Sequence, residues 1–308
     1  MVKMSVNERD IKDCLKILGI PRPWREAVNL LKKQPEWPII QTLLGERFQD
    51  EMPKLEDIWS MMDRVWDSHS MKKVDGKYPD EELLKYYSHP VWLLNGLWIE
   101  SHELSIENRC KFAKLVKLCN KEKPLILDLG GGFGTLGKII ATLYPEATVE
   151  VWEPCTSDLA IRLSEDIENM RFIDFESLNY EKYDCVFSMD VIEHLNNPLS
   201  HIRDANYLLK RGGIFIIGWN FSPVIKCHLS YNFHYRYIMK ECIKLLGFGY
   251  IKKDENSYAY VFKKIANTRD INLKKAEILG KIAKIAKPAM DGLRVGKNLL
   301  GSKLKRVV

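Results

Sequence analysis

Between residues 124 and 265 the chain alternates short apolar runs with amphipathic stretches. The runs PLILDLG, ATVEVWEP, MRFIDF, YDCVFSMD and GGIFIIGWN are each bounded by glycine, proline or charge. Short apolar runs without strict alternation are the pattern of strands buried on both faces. Between them, TLGKIIATLYP, SDLAIRLSEDI and HIRDANYLLKR place apolar residues at helical spacing. This strand, helix, strand repetition predicts an α/β architecture, a parallel sheet with helices on both faces. After the helical MKECIKLLGF, the segments GYIKKDE and SYAYVFKKI read as an antiparallel pair that closes the sheet.

The first 120 residues follow a different pattern. Ile11, Leu15 and Leu18 recur at helical spacing, as do Leu55, Ile58, Met62, Val65 and Trp66, and no strand pattern stands out. Pro21, Pro23, Pro35, Pro38 and Pro53 mark helix starts and turns, because a prolyl nitrogen has no hydrogen to donate inside a helix. Trp24, Trp37, Trp59, Trp66, Trp92 and Trp98 all fall here, as the core of a helical unit or as the lining of a substrate site. Beyond residue 266, INLKKAEILGKIAKIAK puts Ile278, Ile282, Ile285 and Ala286 on one side of a helix, with Lys281 and Lys284 opposite. Pro288 is expected to end that helix. The expected organisation is a helical region over 1–120 that gates the substrate, an α/β domain over 121–265, and a basic amphipathic extension over 266–308.

Charge sharpens this division. The net charge is +6, yet residues 263–308 hold 13 Lys and Arg against 3 Asp and Glu, which leaves a mildly acidic body. With 46% hydrophobic and 10% aromatic residues the chain can bury a sizeable core, so disorder is excluded as the dominant state. The apolar runs are too short and charge-broken for a membrane span of about 20 residues. The opening MVKMSVNERDIKD has no apolar segment of a secretory signal. Seven scattered cysteines without a CxxC pair point away from a disulfide framework or zinc site and towards the reducing cytoplasm.

The richest chemical signal is LILDLGGGFGTLGKII, residues 125–140. A strand ends at Asp128 and Leu129, a glycine loop follows, and a helix begins near Thr135. Glycines leave no Cβ between backbone and ligand, and a helix N-terminus offers unpaired N–H groups. The spacing Gly132-x-Gly134-x-x-Gly137 also fits a dinucleotide site. However, Asp128 at the mouth would repel a pyrophosphate and attract a ligand carrying an ammonium and a sulfonium. At these residues the chain resembles the class I S-adenosylmethionine-dependent methyltransferases, whose first motif is acid-x-Gly-x-Gly-x-Gly. Asp128, Gly130, Gly132 and Gly134 match it position by position.

The resemblance covers residues 124–265. It implies a Rossmann-like, seven-stranded methyltransferase sheet with S-adenosylmethionine as cofactor. Glu153 ends the second strand, where a carboxylate can accept both ribose hydroxyls. By the same resemblance Asp174 faces the adenine amino group and Phe175 flanks the ring. Asp190 opens the motif Asp-x-x-Glu-His-Leu, similar to the branch of ubiquinone-pathway O-methyltransferases, and is counted among the cofactor residues.

Methyl transfer from a sulfonium is an in-line displacement, so the protein has to position the nucleophile and, for a hydroxyl, take its proton. His194, just past the fourth strand, is the leading candidate base, because an imidazole titrates near neutrality. Its structural alternatives are to cap a helix or to pack over the cofactor. The resemblance also implies a second route, a divalent cation held by Asp190, Glu193, His194 and the later His234. The short arm of Asp190 argues against it, and no residue is assigned to a metal. His234 is kept as the second catalytic candidate, while Cys227 and His228 receive no role. Residues 219–236 combine aromatics, histidines and cations, which suits a sugar or a ring-containing substrate.

The expected acceptor is a hydroxyl on a small molecule, sugar or glycolipid. The basic extension is read as a solvated helix, as a helix resting on an anionic membrane at the inner face, or as a nucleic-acid arm. Nucleic acid is not expected, since the acidic body lacks an interleaved basic and aromatic motif. Two rival functions are weighed. A nicotinamide-dependent oxidoreductase is opposed by Asp128 and the Asp-x-x-Glu-His strand. A non-catalytic, methyltransferase-like module tethered by its basic tail is opposed by the intact Asp128, Gly130, Gly132, Gly134 and Glu153.

Overall fold

The computed structural model describes residues 7–304, with side chains through residue 292. One seven-stranded sheet forms its centre. The strands are β1 (Leu125–Leu129), β2 (Thr148–Trp152), β3 (Met170–Phe172), β4 (Tyr183–Met189), β5 (Leu209–Gly218), β6 (Phe248–Lys253) and β7 (Tyr260–Lys264). Their order is β3-β2-β1-β4-β5-β7-β6. The first five strands pair in parallel, and β7 runs antiparallel between β5 and β6. The predicted closing pair therefore folds back so that its later strand borders β5, with Ile216 opposite Val261. Burial explains the choice: Val261 and Phe262 of β7 are fully buried, whereas Tyr250 and Ile251 of β6 are exposed at the sheet edge.

Eight helices among the described residues precede the sheet: α1 (Glu8–Leu18), α2 (Trp24–Lys32), α3 (Trp37–Leu44), α4 (Arg47–Asp50), α5 (Leu55–Ser68), α6 (Asp80–Tyr87), α7 (Val91–Ser101) and α8 (Glu103–Ala113). Between strands lie α9 (Thr135–Leu143), α10 (Asp158–Arg162), α11 (Pro198–Leu208) and α12 (Tyr235–Leu245), and α13 (Asp270–Leu304) follows the last strand. Prolines open several of these as expected: Pro23 is the N-cap of α2, and Pro38 lies in the first turn of α3.

Packing cuts across the boundary expected at residue 120. Helices α1 and α8 cover one face of the sheet together with α9, where Cys14, Ile106, Cys110 and Phe112 share a core with Ile126, Ile139 and Val149. Helices α11, α12 and α13 cover the other, with Ile202, Met239, Ile243 and Ala276 near Leu127, Phe215 and Phe262. Only α2 to α7 form a cap, built on Leu31, Ile40, Ile58, Met62, Tyr86 and Leu94, and its core continues into Phe133, Leu159, Ile225 and Leu229 of the sheet domain. The division follows amphipathicity. The apolar stripe of α1 has to cover α9, whereas α7 (VWLLNGLWIES) is apolar nearly all round and lies between cap and sheet domain, touching α2, α5, α8 and α9. The tryptophans of the cap are largely core. Trp24 and Trp98 are buried, and their indole nitrogens donate to Phe48 O (2.9 Å) and Pro53 O (2.7 Å).

The last helix departs from expectation at Pro288. It continues through Pro288, whose missing donor leaves the carbonyl of Lys284, an exposed residue, without its helical partner. Its packed face is not the isoleucine face. Ala276 and Ala283 are buried, and Gly280 sits so near Tyr235 that a Cβ would lie 2.9 Å from the hydroxyl oxygen. Small residues let the two helices approach closely, which turns the larger side chains outward. Among the described residues, no helix is long and apolar enough to cross a membrane.

Candidate active site

The glycine loop leaves β1 and crosses the end of β2, where Gly130 N and Gly131 N both donate to Trp152 O (2.8 and 3.2 Å). Gly132 and Gly134 have φ of +55° and +73°, the left-handed region that glycine enters without strain. They differ in what surrounds them. A Cβ on Gly134 would come within 2.7 Å of the Phe172 ring, whereas a Cβ on Gly132 would meet nothing within 4 Å. Gly132 thus faces open space beside the start of α9. Gly132→Ala is expected to fold with a loss of only about 1–2 kcal/mol yet to bind S-adenosylhomocysteine far more weakly. Gly134→Ala is expected to lose stability as well. Urea denaturation and calorimetric titration of both variants check the pair.

Two carboxylates flank this loop. Glu153, just after β2, accepts from Gly132 N (3.0 Å) and Cys155 N (3.3 Å), and burial raises its pKa. Asp128 is buried beneath the loop with Oδ2 lacking any hydrogen-bond partner among the described residues. Burial pushes its pKa up to about 7, against the pull of Arg109 on α8. Beyond β3, Asp174 is exposed, and Phe175 is also exposed with its ring 6.2 Å from that of Trp152. Asp190 follows β4 in a left-handed conformation (φ +56°). Its N–H donates to Gly218 O (3.1 Å), and its carboxylate accepts from Tyr258 Oη (2.6 Å). Arg109 acts on Asp190 as well.

At the C-terminal ends of β4 and β5, three acceptor atoms converge. Glu193, His194 and His228 each offer one atom, all within 4.8 Å of one another. Nδ1 of His194 lies 3.2 Å from Cys227 O, and Nδ1 of His228 lies 2.8 Å from Ser222 O. A carbonyl can only accept, so both Nδ1 atoms carry the proton and both Nε2 atoms present a lone pair. Glu193 is fully buried: Asn220 N donates to Oε1 (2.9 Å), and Oε2 has no partner among the described residues. Burial, then the charge of Asp190, raises Glu193 to about 8. Burial, then His228, presses His194 down to about 3.

The cap closes over this group. The ring of His194 lies 6.0 Å from those of both Tyr87 and Trp92, and Tyr87 Oη donates to His194 O (3.3 Å). The indole N–H of Trp92 is buried without a hydrogen-bond partner among the described residues. Further contacts pin the cap to the loops beside the site. Asn196 Nδ2 donates to Tyr78 O (2.7 Å), Tyr231 Oη donates to Asn196, and Lys226 pairs with Asp67 of α5 (2.5 Å). On the opposite side Glu100 of α7 is fully buried against Lys138 of α9 (2.8 Å), with Arg22 at 3.3 Å.

Of the residues singled out in the sequence, Asp128, Gly130, Gly132, Gly134, Glu153, Asp190 and His194 gather along the C-terminal edge of the sheet. His234 does not join His194. It precedes α12 with its ring against Tyr235 (4.3 Å), where burial and then Lys284 of α13 press it down to about 4. The turn at Ser230–Asn232 separates the two histidines, and His228 takes the place given to His234. Arg109 and the Glu100–Lys138 pair carried no signal in the pattern, because only the tertiary fold brings them to their partners, whereas Trp92 was one of the six tryptophans read as core or as substrate lining.

Comparison with known proteins bears on the class of this domain. Residues 104–223 match a family described as "Methyltransferase domain", so the match begins within α8, which packs with the sheet domain. A ubiquinone biosynthesis O-methyltransferase from Haemophilus ducreyi is 28% identical over 178 residues, 52% of this chain and 72% of the relative. Among solved structures, human N-acetylserotonin methyltransferase in complex with SAM is similar at 18% identity, over 71% of this chain and 70% of that one, with a TM-score of 0.46. An O-methyltransferase family protein from Burkholderia thailandensis is similar at 16% identity over 69% of each chain, with a TM-score of 0.44. The chain carries a class I S-adenosylmethionine-dependent methyltransferase domain. It is an S-adenosylmethionine-dependent methyltransferase, and neither the oxidoreductase nor the non-catalytic alternative is favoured.

Proposed function

We propose that this enzyme methylates a hydroxyl oxygen of a small acceptor, a small-molecule, sugar or glycolipid hydroxyl held between the ends of β4 and β5 and the aromatic residues of the cap. The observation that supports it best is the convergence of a ring nitrogen of His194, a ring nitrogen of His228 and a Glu193 oxygen within 4.8 Å of one another. In the transfer the acceptor oxygen forms a bond to the methyl carbon as the carbon–sulfur bond breaks, and the electron pair stays on S-adenosylhomocysteine. The hydroxyl proton goes to the His194–Glu193 pair. An imidazolium so deeply placed is tolerable only beside an ionised carboxylate, the form Glu193 takes as pH rises through about 8, so the two titrate as a unit.

In this reading the loop Gly130, Gly132 and Gly134 cradles the methionine arm, and Glu153 turns from Gly132 N to the ribose hydroxyls. Asp174 meets the adenine amino group and Phe175 covers the ring. Asp128 and Asp190 face the cationic end, and Arg109 takes the carboxylate. A carboxyl raised to about 7 costs the free protein stability as pH climbs from about 4 towards 7. A cationic ligand lowers that pKa, so cofactor uptake should release about half a proton near pH 7 and almost none above about pH 9. Titrations in buffers of different ionisation heat measure this.

The same three atoms also fit a divalent cation. A carboxylate oxygen and two imidazoles whose Nδ1–H groups are fixed by backbone carbonyls make a coherent donor set. Bound there, an ion supplies Lewis acidity that makes the acceptor hydroxyl more acidic. His194 and His228 then serve as ligands rather than in proton transfer. An acceptor screen with labelled S-adenosylmethionine, run on chelator-treated and metal-supplemented protein, tests both readings. Transfer unaffected by chelation, together with no calorimetric binding of Zn²⁺ or Mn²⁺, rejects the ion. Absence of transfer to any hydroxyl acceptor, with transfer to nitrogen or carbon instead, rejects O-methylation.

A further inference from the structure

Helix α13 has two unlike faces. Its inner face is small: Ala276, Gly280 and Ala283 lie on α12. Its outer face carries Ile271, Ile278, Ile282 and Ile285, exposed by 56, 55, 57 and 83%. At 3.6 residues per turn these four side chains fall within roughly 60° of arc, a continuous apolar stripe. Lys274 and Lys281 border it on one side and Lys275 on the other, all exposed. No ion pair engages these three lysines among the described residues. Isoleucines that large are normally turned inward, yet this helix spends alanine and glycine on its packed face.

We propose that the isoleucine face of α13 lies on an anionic lipid surface. Charge selects this occupant. An apolar stripe bordered by lysine on both sides matches a bilayer that offers acyl chains beneath acidic headgroups, and residues 263–308 carry 13 Lys and Arg against 3 Asp and Glu. A second copy of this chain would have to bring those lysines against their own equivalents. Direction adds to the case. The helix runs antiparallel along α12, from Asn272 beside Leu245 O (2.9 Å) through Ala276 beside Cys242 to Gly280 beside Tyr235. Lys284 and Lys287 therefore lie near the start of α12, where both act on His234, close in the chain to the loop that carries His228 and Tyr231. Docking by this face sets that end of the enzyme at the lipid surface.

The test is sedimentation of the full-length protein with phosphatidylcholine vesicles, with and without phosphatidylglycerol. Wild type is expected to partition onto the anionic vesicles alone. The exposed pair Ile278→Asp with Ile282→Asp should lower partitioning by more than about tenfold. Reversing Lys274, Lys275 and Lys281 to Glu should lower it by about a hundredfold or more. S-adenosylhomocysteine binding, measured on every variant, should stay at the wild-type value, which separates failure at the surface from failure of the transfer reading. The proposal is overturned if wild type ignores anionic vesicles, or if the isoleucine pair binds them as wild type does. It is also overturned if light scattering shows a dimer that the isoleucine pair converts to monomer, since the stripe then covers a second copy.

Discussion

His194→Ala is expected to lower turnover by about 10²–10⁴-fold while S-adenosylhomocysteine affinity stays within about twofold of wild type. The split follows from position. His194 lies beyond β4, with Nδ1 beside Cys227 O and its ring grouped with Glu193 and His228, whereas the glycine loop and Glu153 belong to the ends of β1 and β2. Glu193→Gln should cost turnover by a similar factor, because the proton is accepted by the pair and an amide cannot neutralise an imidazolium. The double variant should be scarcely worse than either single one, as for groups that act as a unit. Additive losses, or a parallel fall in S-adenosylhomocysteine affinity, would show that the histidine packs over the cofactor instead. Single-turnover transfer to the acceptor found in the screen is the measurement.

The second large effect concerns stability. Glu100→Ala should destabilise the protein by about 3–5 kcal/mol, the usual cost of leaving a buried charge without its partner. Glu100 is the anion shared by Lys138, Arg22 and Thr135, and both Glu100 and Lys138 are almost wholly buried. Burial already lowers the Lys138 pKa, so an unpaired ammonium there is strongly disfavoured. The pair fastens α7 to α9 beside the point where Gly96 receives the Phe133 ring, at which a Cβ would stand 2.6 Å away. Replacing both partners, Glu100→Leu with Lys138→Met, should recover most of the loss, since an apolar pair of similar volume carries no desolvation penalty. Urea denaturation of the three proteins checks this. A loss below about 1 kcal/mol in the single variant would mean that water reaches Lys138.

Much of the sheet domain was legible along the chain. All seven strand segments are strands, and the helical patterns between the first five are helices; for the central strands, burial on both faces imposes apolar runs that need no knowledge of neighbours. The glycine loop was equally readable. Its backbone enters conformations that local chemistry restricts to glycine, and the adjacent acid changes which ligand charge is welcome. Other assignments required neighbours. His228 and His234 lie six residues apart in one polar, aromatic segment, and nothing in that spacing says which one a 3-10 turn will point at Glu193. Pro288 looked like a stop, yet the acceptor it leaves unmet belongs to the exposed residue Lys284 and the helix continues.

The sequence by itself determined the α/β class, the strand positions, the glycine loop and the excess of positive charge near the C-terminal end. These are properties of single segments, set by periodicity, glycine stereochemistry and composition. The tertiary structure alone decided that α1 and α8 pack with the sheet domain rather than the cap. It alone buried Glu100 against Lys138, gathered His228 with Glu193 and His194, and turned the isoleucines of α13 outward. Each of these depends on which two surfaces meet. An amphipathic helix states that it has an apolar face, but whether isoleucine or alanine packs inward depends on how closely the neighbouring helix approaches.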